Sequence, residues 1–116
     1  MSLRDRILAK DDIGKKSVEI PEWGETVEIR TMSAAGRAAM MENVTKDGGK
    51  VDMQAFYPAL IIAGVYDPET GEPLFTEEDA DFIKSKSAKV IEMLAREVMD
   101  ASGMADKAVD AEGKDS

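Results

Sequence analysis

The sequence has 116 residues, 43% of them hydrophobic, with no Cys and no His. That length fits one domain with a core of its own, while the missing residues exclude a disulfide framework, thiolate metal sites, a Cys nucleophile and the commonest general base. Fifteen Lys and Arg against twenty-four Asp and Glu give −9, a charge repelled by phosphate backbones and anionic lipid, so neither nucleic acid nor membrane is expected as a partner.

The acidity is local. From Val51 to Ile83 the chain carries acids and no base, centred on Asp67 to Asp81. The start, Met1 to Arg6, leads into no long apolar run, so no secretory signal is expected. The richest apolar stretch, Ala59 to Val65, falls well short of the roughly eighteen residues that span a bilayer.

A short helix is expected over Ser2 to Lys10. Ser2 is its cap, and Leu3, Ile7 and Leu8 lie on one side. So short a helix is marginal alone, and its apolar side must lean on something. Val18 to Pro21 and Thr26 to Arg30 alternate apolar and polar residues, the period of half-buried strands. With Glu22-Trp23-Gly24-Glu25 between them they predict a hairpin at about residues 17–31. Val18, Ile20, Val27 and Ile29 form its apolar face. Trp23 at the tip either folds back or meets a partner, and the cost of exposing so large a ring favours folding back.

Ser33 caps a predicted helix from Ala34 to Thr45, with Met40, Met41 and Val44 on its apolar side. Lys46-Asp47-Gly48-Gly49-Lys50 is a flexible break. It lacks the upstream Gly and the following Ser or Thr of a phosphate loop. Asp52 caps the next helix, Met53 to Val65, whose stripe of Phe56, Tyr57, Leu60, Ile61 and Gly64 marks it as the central, most buried one. Pro58 objects: either the helix starts near Tyr57, or it is kinked. Val65 to Phe75 reads as an ordered turn, with Pro68 at a second turn position, Gly71 at positive φ, and Tyr66, Leu74 and Phe75 pinning its ends. Thr76 then caps a helix whose three acids, Glu77 to Asp79, face its dipole, with Phe82 and Ile83 pointing inward. The last helix, Ala88 to Ala101, carries Val90, Ile91, Leu94, Ala95 and Val98, and Gly103 ends it.

The fold class is therefore mainly α with a small N-terminal β-hairpin (α+β), four to five helices packing around a central apolar helix. Residues 1–103 make a single domain, and 104–116 a disordered polar tail.

Catalysis finds little support. Asp67, Glu69, Glu72, Glu77, Glu78 and Asp79 suit a hard cation chemically, but the spacing of a calcium loop is absent and each acid has a turn or a helix start to serve. Ser33, Ser85, Ser87 and Ser102 all have capping roles and no evident base. No metal or cofactor is expected. Met40, Met41, Met93, Met99 and Met104 either make an adaptable apolar surface or fill gaps in the core.

Several segments together resemble a known family. They are Ile7-Leu8-Ala9-Lys10-Asp11-Asp12, Val18-Glu19-Ile20-Pro21-Glu22-Trp23-Gly24, Val27 to Ser33, Gly36-Arg37, Val65-Tyr66-Asp67, Gly71-Glu72-Pro73-Leu74-Phe75-Thr76-Glu77-Glu78-Asp79 and Lys86-Ser87. In this order, over about residues 7 to 103, the chain resembles the small tail assembly chaperones of long-tailed bacteriophages. The resemblance implies a non-enzymatic factor of the bacterial host cytoplasm that coats the tape-measure protein, helps the major tail tube protein polymerise around it, and is absent from the mature virion. It also implies that a polar ending such as Gly113-Lys114-Asp115-Ser116 suits the short product of a frame that, in many such phages, is extended by a ribosomal frameshift. On this reading the chain is a homo-oligomer, with Trp23, Met40, Met41, Val44, Met93 and Met99 as the partner-binding residues. A rival is an acidic decoy that binds a basic protein through Asp67 to Asp81, with strongly salt-dependent affinity. A second rival is a carboxylate-only or metal-assisted enzyme, which needs a concave acidic pocket.

Overall fold

A computed structural model of the chain describes residues 1–104; the tail expected beyond them, residues 105–116, lies outside the described residues. Its first expected residue, Met104, is buried, and its N–H donates to Met99 O. Among the described residues there are five helices and one small sheet: α1 (Leu3–Leu8), β1 (Lys15–Ile20), β2 (Glu25–Arg30), α2 (Ala34–Val44), α3 (Met53–Gly64), β3 (Val65–Tyr66), α4 (Ala80–Lys84, preceded by a 3-10 turn Glu77–Asp79) and α5 (Ala88–Ala101).

The hairpin pairs antiparallel with Val18 opposite Val27 and Lys16 opposite Ile29. Because side chains alternate along a strand, this register turns Val18, Ile20, Val27 and Ile29 to one face, and all four are buried. Pro21 sits outside β1, in the turn, where its missing N–H costs no ladder bond. A third strand extends the expected hairpin. The chain leaves α3 and pairs Val65 with Ile29 and Tyr66 with Glu28. Two residues of strand carry no legible alternation, so only the neighbouring β2 edge defines β3.

α5 packs against β1 and β2 and, more extensively, against α3. α3 is the hub, touching α2, α4, α5 and β3. Leu60 and Ile61 of α3 meet a core that includes Leu94, Ala95 and Val98 of α5, all inaccessible to solvent. Gly64 makes the close approach possible: a Cβ there would stand 2.5 Å from Val98 Cγ1. α3 begins at Met53 and runs through Pro58, so the proline does not mark its start. Asp52 caps it, accepting from Gln54 N–H at 3.1 Å, and Pro58 leaves the Gln54 carbonyl without its intrahelical donor.

Local rules account for the other ends. Ser33 Oγ accepts from Gly36 N–H at 3.0 Å and Ser2 Oγ from Asp5 N–H at 3.1 Å. The Asp79 carboxylate accepts from both Thr76 N–H and its hydroxyl, and Asp67 Oδ1 accepts from Glu69 N–H at 2.8 Å. The Gly48-Gly49 link is held as a turn by the Thr45–Val51 bridge and by Asp52 N–H donating to Val44 O. Both glycines have positive φ. The exit of β2 is tied to the end of α5: Thr31 Oγ1 donates to Ala101 O, and Met32 N–H donates to Ser102 Oγ. Lys16 Nζ adds an exposed ion pair to Glu97 of α5 at 2.8 Å. The hydrogen bond and charge of Glu97 hold that ammonium above the ordinary Lys range.

Two expectations change in the tertiary structure. Ile83 is buried, but Phe82 points outward, its ring beneath the Lys86 ammonium at 4.4 Å. Phe75 packs against the core, whereas Leu74 is exposed. On a helix as short as α4 only one residue of an adjacent pair can face the core, and Ile83 takes that place.

Candidate functional site

Two of the open apolar grooves on the described surface hold candidate binding residues. The first, about 460 Å³, runs between α2, α3 and the start of α4. Its walls are small residues. Ala55, Ala59 and Ala63 recur every four residues along one face of α3, opposite Gly36 and Ala39 of α2 and Ala80 of α4. Its floor is Met40, Val44, Pro58 and Ile62. Asn43 Nδ2 donates to Glu77 Oε1 at 3.1 Å and ties α2 to the turn before α4, with Lys84 also on the lining. Walls of Ala and Gly let another backbone come close, the geometry suited to a guest helix rather than to a small polar molecule.

The second groove, about 420 Å³, lies between the hairpin tip and the acidic turn. Trp23, Val27, Leu74, Phe75 and Phe82 give it apolar surface; Glu25, Asp67, Glu69 and the single base Lys86 line it as well. The turn is rigidly built. Gly71 N–H donates to Asp67 O and Asp67 N–H to Glu72 O, Gly71 takes φ +75°, and Arg30 stacks over Tyr66 at 4.2 Å.

The residues expected to bind partners divide between these places. Met40 and Val44 are buried, as floor of the first groove. Trp23 is half-buried against the core and lines the second. Met41 and Met93 are half-buried against the core and line neither groove. Met99 is buried, as are Met32 and Met104. Met32, Met40, Met99 and Met104 thus serve the core, where a flexible thioether side chain fills irregular gaps, whereas Met53 is exposed. On α3, three small residues four apart beside a bulky stripe mark a second, shallower face.

The acids from Asp67 to Asp81 are spread over a turn, a helix start and a groove rim. Among the described residues no three acids are placed to hold a metal ion. Among the described residues no buried side-chain polar atom lacks a hydrogen-bond partner, and no helix is long and apolar enough to cross a membrane.

The fold has a solved counterpart. The structure of the bacteriophage HK97 tail assembly chaperone superposes with a TM-score of 0.62 at 23% identity, over 90% of this chain and 96% of that one. No curated protein matches by sequence. The sequence profile of the phage tail assembly chaperones matches residues 2–114. With nearly the whole chain inside that profile, and an arrangement of helices and sheet shared with a solved chaperone of the same description, the chain belongs to the phage tail assembly chaperone family.

Proposed function

We propose that the chain is a non-catalytic factor that holds an apolar helical segment of a tape-measure protein in the groove between α2, α3 and α4. The observation that carries this reading is the groove itself: alanine walls on α3 and an apolar floor of Met40, Val44 and Ile62, open to solvent along its length. A helix laid there buries its apolar face, and many copies along one extended partner sum weak contacts into tight coating. The surrounding charge of −9 keeps such a coated filament soluble. In the same reading the chain works in the bacterial host cytoplasm, associates with further copies of itself, hands the coated partner to the major tail tube protein, and is left out of the mature virion.

Co-expression with the tape-measure protein tests it. The wild-type chain is expected to bring the tape-measure protein into the soluble fraction and to co-elute with it. Ala59→Trp, which fills the groove from its α3 wall and whose folding is checked by circular dichroism, is expected to lower recovery at least about tenfold, the loss of roughly 1.4 kcal/mol per contact. A tape-measure protein equally insoluble with and without the chain sinks the reading. An Ala59→Trp chain as effective as wild type moves the contact out of this groove.

A further inference from the structure

We propose that α1 of one copy docks into the acidic, aromatic groove of a second copy, a head-to-tail contact that repeats from copy to copy. It rests on the reading that the chain self-associates, and it names the two surfaces involved. α1 buries none of its residues. Leu3, Ile7 and Leu8 remain 64%, 60% and 65% exposed, although Ser2 caps the helix and its backbone is well formed. An apolar stripe held in a regular helix and covered by none of the described residues of its own chain is a surface suited to a partner.

The charges say which half. The first ten residues carry Arg4, Arg6 and Lys10 against one acid, Asp5. The groove at the hairpin tip offers Trp23, Leu74 and Phe82 as apolar surface, Phe82 being 52% exposed, and sets Glu25, Asp67 and Glu69 against Lys86 alone. A basic helix with an apolar stripe matches an acidic groove with an apolar floor. The alanine groove has no such bias, since its charged lining is Glu77 and Lys84.

Geometry opposes filling the groove from the same chain. Gly14 is fixed beside Thr31, its N–H donating to Thr31 Oγ1 at 3.1 Å and its carbonyl accepting from Thr31 N–H at 2.9 Å. That is the end of the hairpin away from Trp23, and a six-residue strand spans about 20 Å. Residues 9–13 would have to run almost straight, at about 3.3 to 3.6 Å each, to carry α1 across. Instead they turn: Lys10 N–H donates to Ile7 O and Ile13 N–H to Asp11 Oδ1, each at 3.1 Å. Because arm and groove are different surfaces, the contact is heterologous and leaves one of each unpaired after every addition. It closes into a ring or grows as a filament.

A complementation experiment reads this directly, by light scattering and sedimentation of the full chain without an N-terminal fusion. Leu8→Asp disables the arm and Phe82→Glu the groove; both positions are exposed, and circular dichroism checks that both variants fold. The wild-type mass is expected to climb past a dimer as concentration rises and to fall back as salt is raised. Each variant alone is expected to stay monomeric over the same range. Mixed in equal amounts, they are expected to form a dimer and nothing larger, the intact arm of one in the intact groove of the other. Variants that associate like wild type, or a mixture that stays monomeric or grows past a dimer, overturn the α1-to-groove contact and leave self-association standing. A wild-type chain that is monomeric at every concentration removes both.

Discussion

α1 and α5 are written in the same language and end in opposite places. Each has apolar residues at positions i, i+4 and i+5: Leu3, Ile7 and Leu8 in one, Val90, Leu94 and Ala95 in the other. Each presents a Ser at its N-cap position. Yet α5 buries six residues between the sheet and α3, and α1 buries none. The difference teaches that an apolar stripe does not by itself decide whether a helix is covered within its own chain. α5 finds its cover within the chain because β1, β2 and α3 flank it, whereas α1 is separated from the core by the turn at Asp11 to Ile13.

Substitutions can break or sharpen this contrast. The largest effect is expected from Leu94→Ala at the centre of α5. Leu94 is inaccessible to solvent, and the change should cost about 2 to 5 kcal/mol of unfolding free energy, measured by urea titration. Next comes Gly64→Ala at the α3–α5 seam. The added methyl favours the helix intrinsically by up to about 1 kcal/mol. It also meets Val98 at 2.5 Å, and with Val98 fully buried the clash should dominate, for a net loss of about 1 to 3 kcal/mol. Adding Val98→Ala should recover part of that loss, so the double variant falls short of the sum of the singles. The smallest effect on stability is expected from Leu8→Ala in α1, within about 0.5 kcal/mol of wild type, even though it removes as many carbons as Leu94→Ala. A Leu8→Ala chain as destabilised as Leu94→Ala would show that α1 is covered by its own core and would erase the contrast.

Much of the fold was legible because local rules and tertiary packing agree. The alternation in Val18-Glu19-Ile20 and Val27-Glu28-Ile29 survives as a strand pair in the register that buries all four apolar residues. Ser33, Asp52 and Gly103 act as caps or stops where their chemistry says they should. The site was less legible. Seeking an adaptable surface, sequence reasoning pointed to methionines, and packing put Met40 and Met99 inside. It passed over Ala55, Ala59 and Ala63, because small residues give almost no hydropathy signal even where they shape a groove. It turned Phe82 inward, because on a single turn of helix the phase of the stripe is set by one residue and Ile83 won.

Periodicity, caps and breakers in the sequence by themselves determined the helices and the hairpin, since these depend on neighbours a few positions apart, and composition alone excluded thiol and imidazole chemistry. Only the tertiary structure decided that β3 joins the sheet, that α3 runs through Pro58, that Met40 and Met99 lie in the core and that α1 buries none of its residues. Those outcomes depend on which surfaces lie within reach of one another after the chain has folded back, a matter of distance in space that spacing along the chain does not encode.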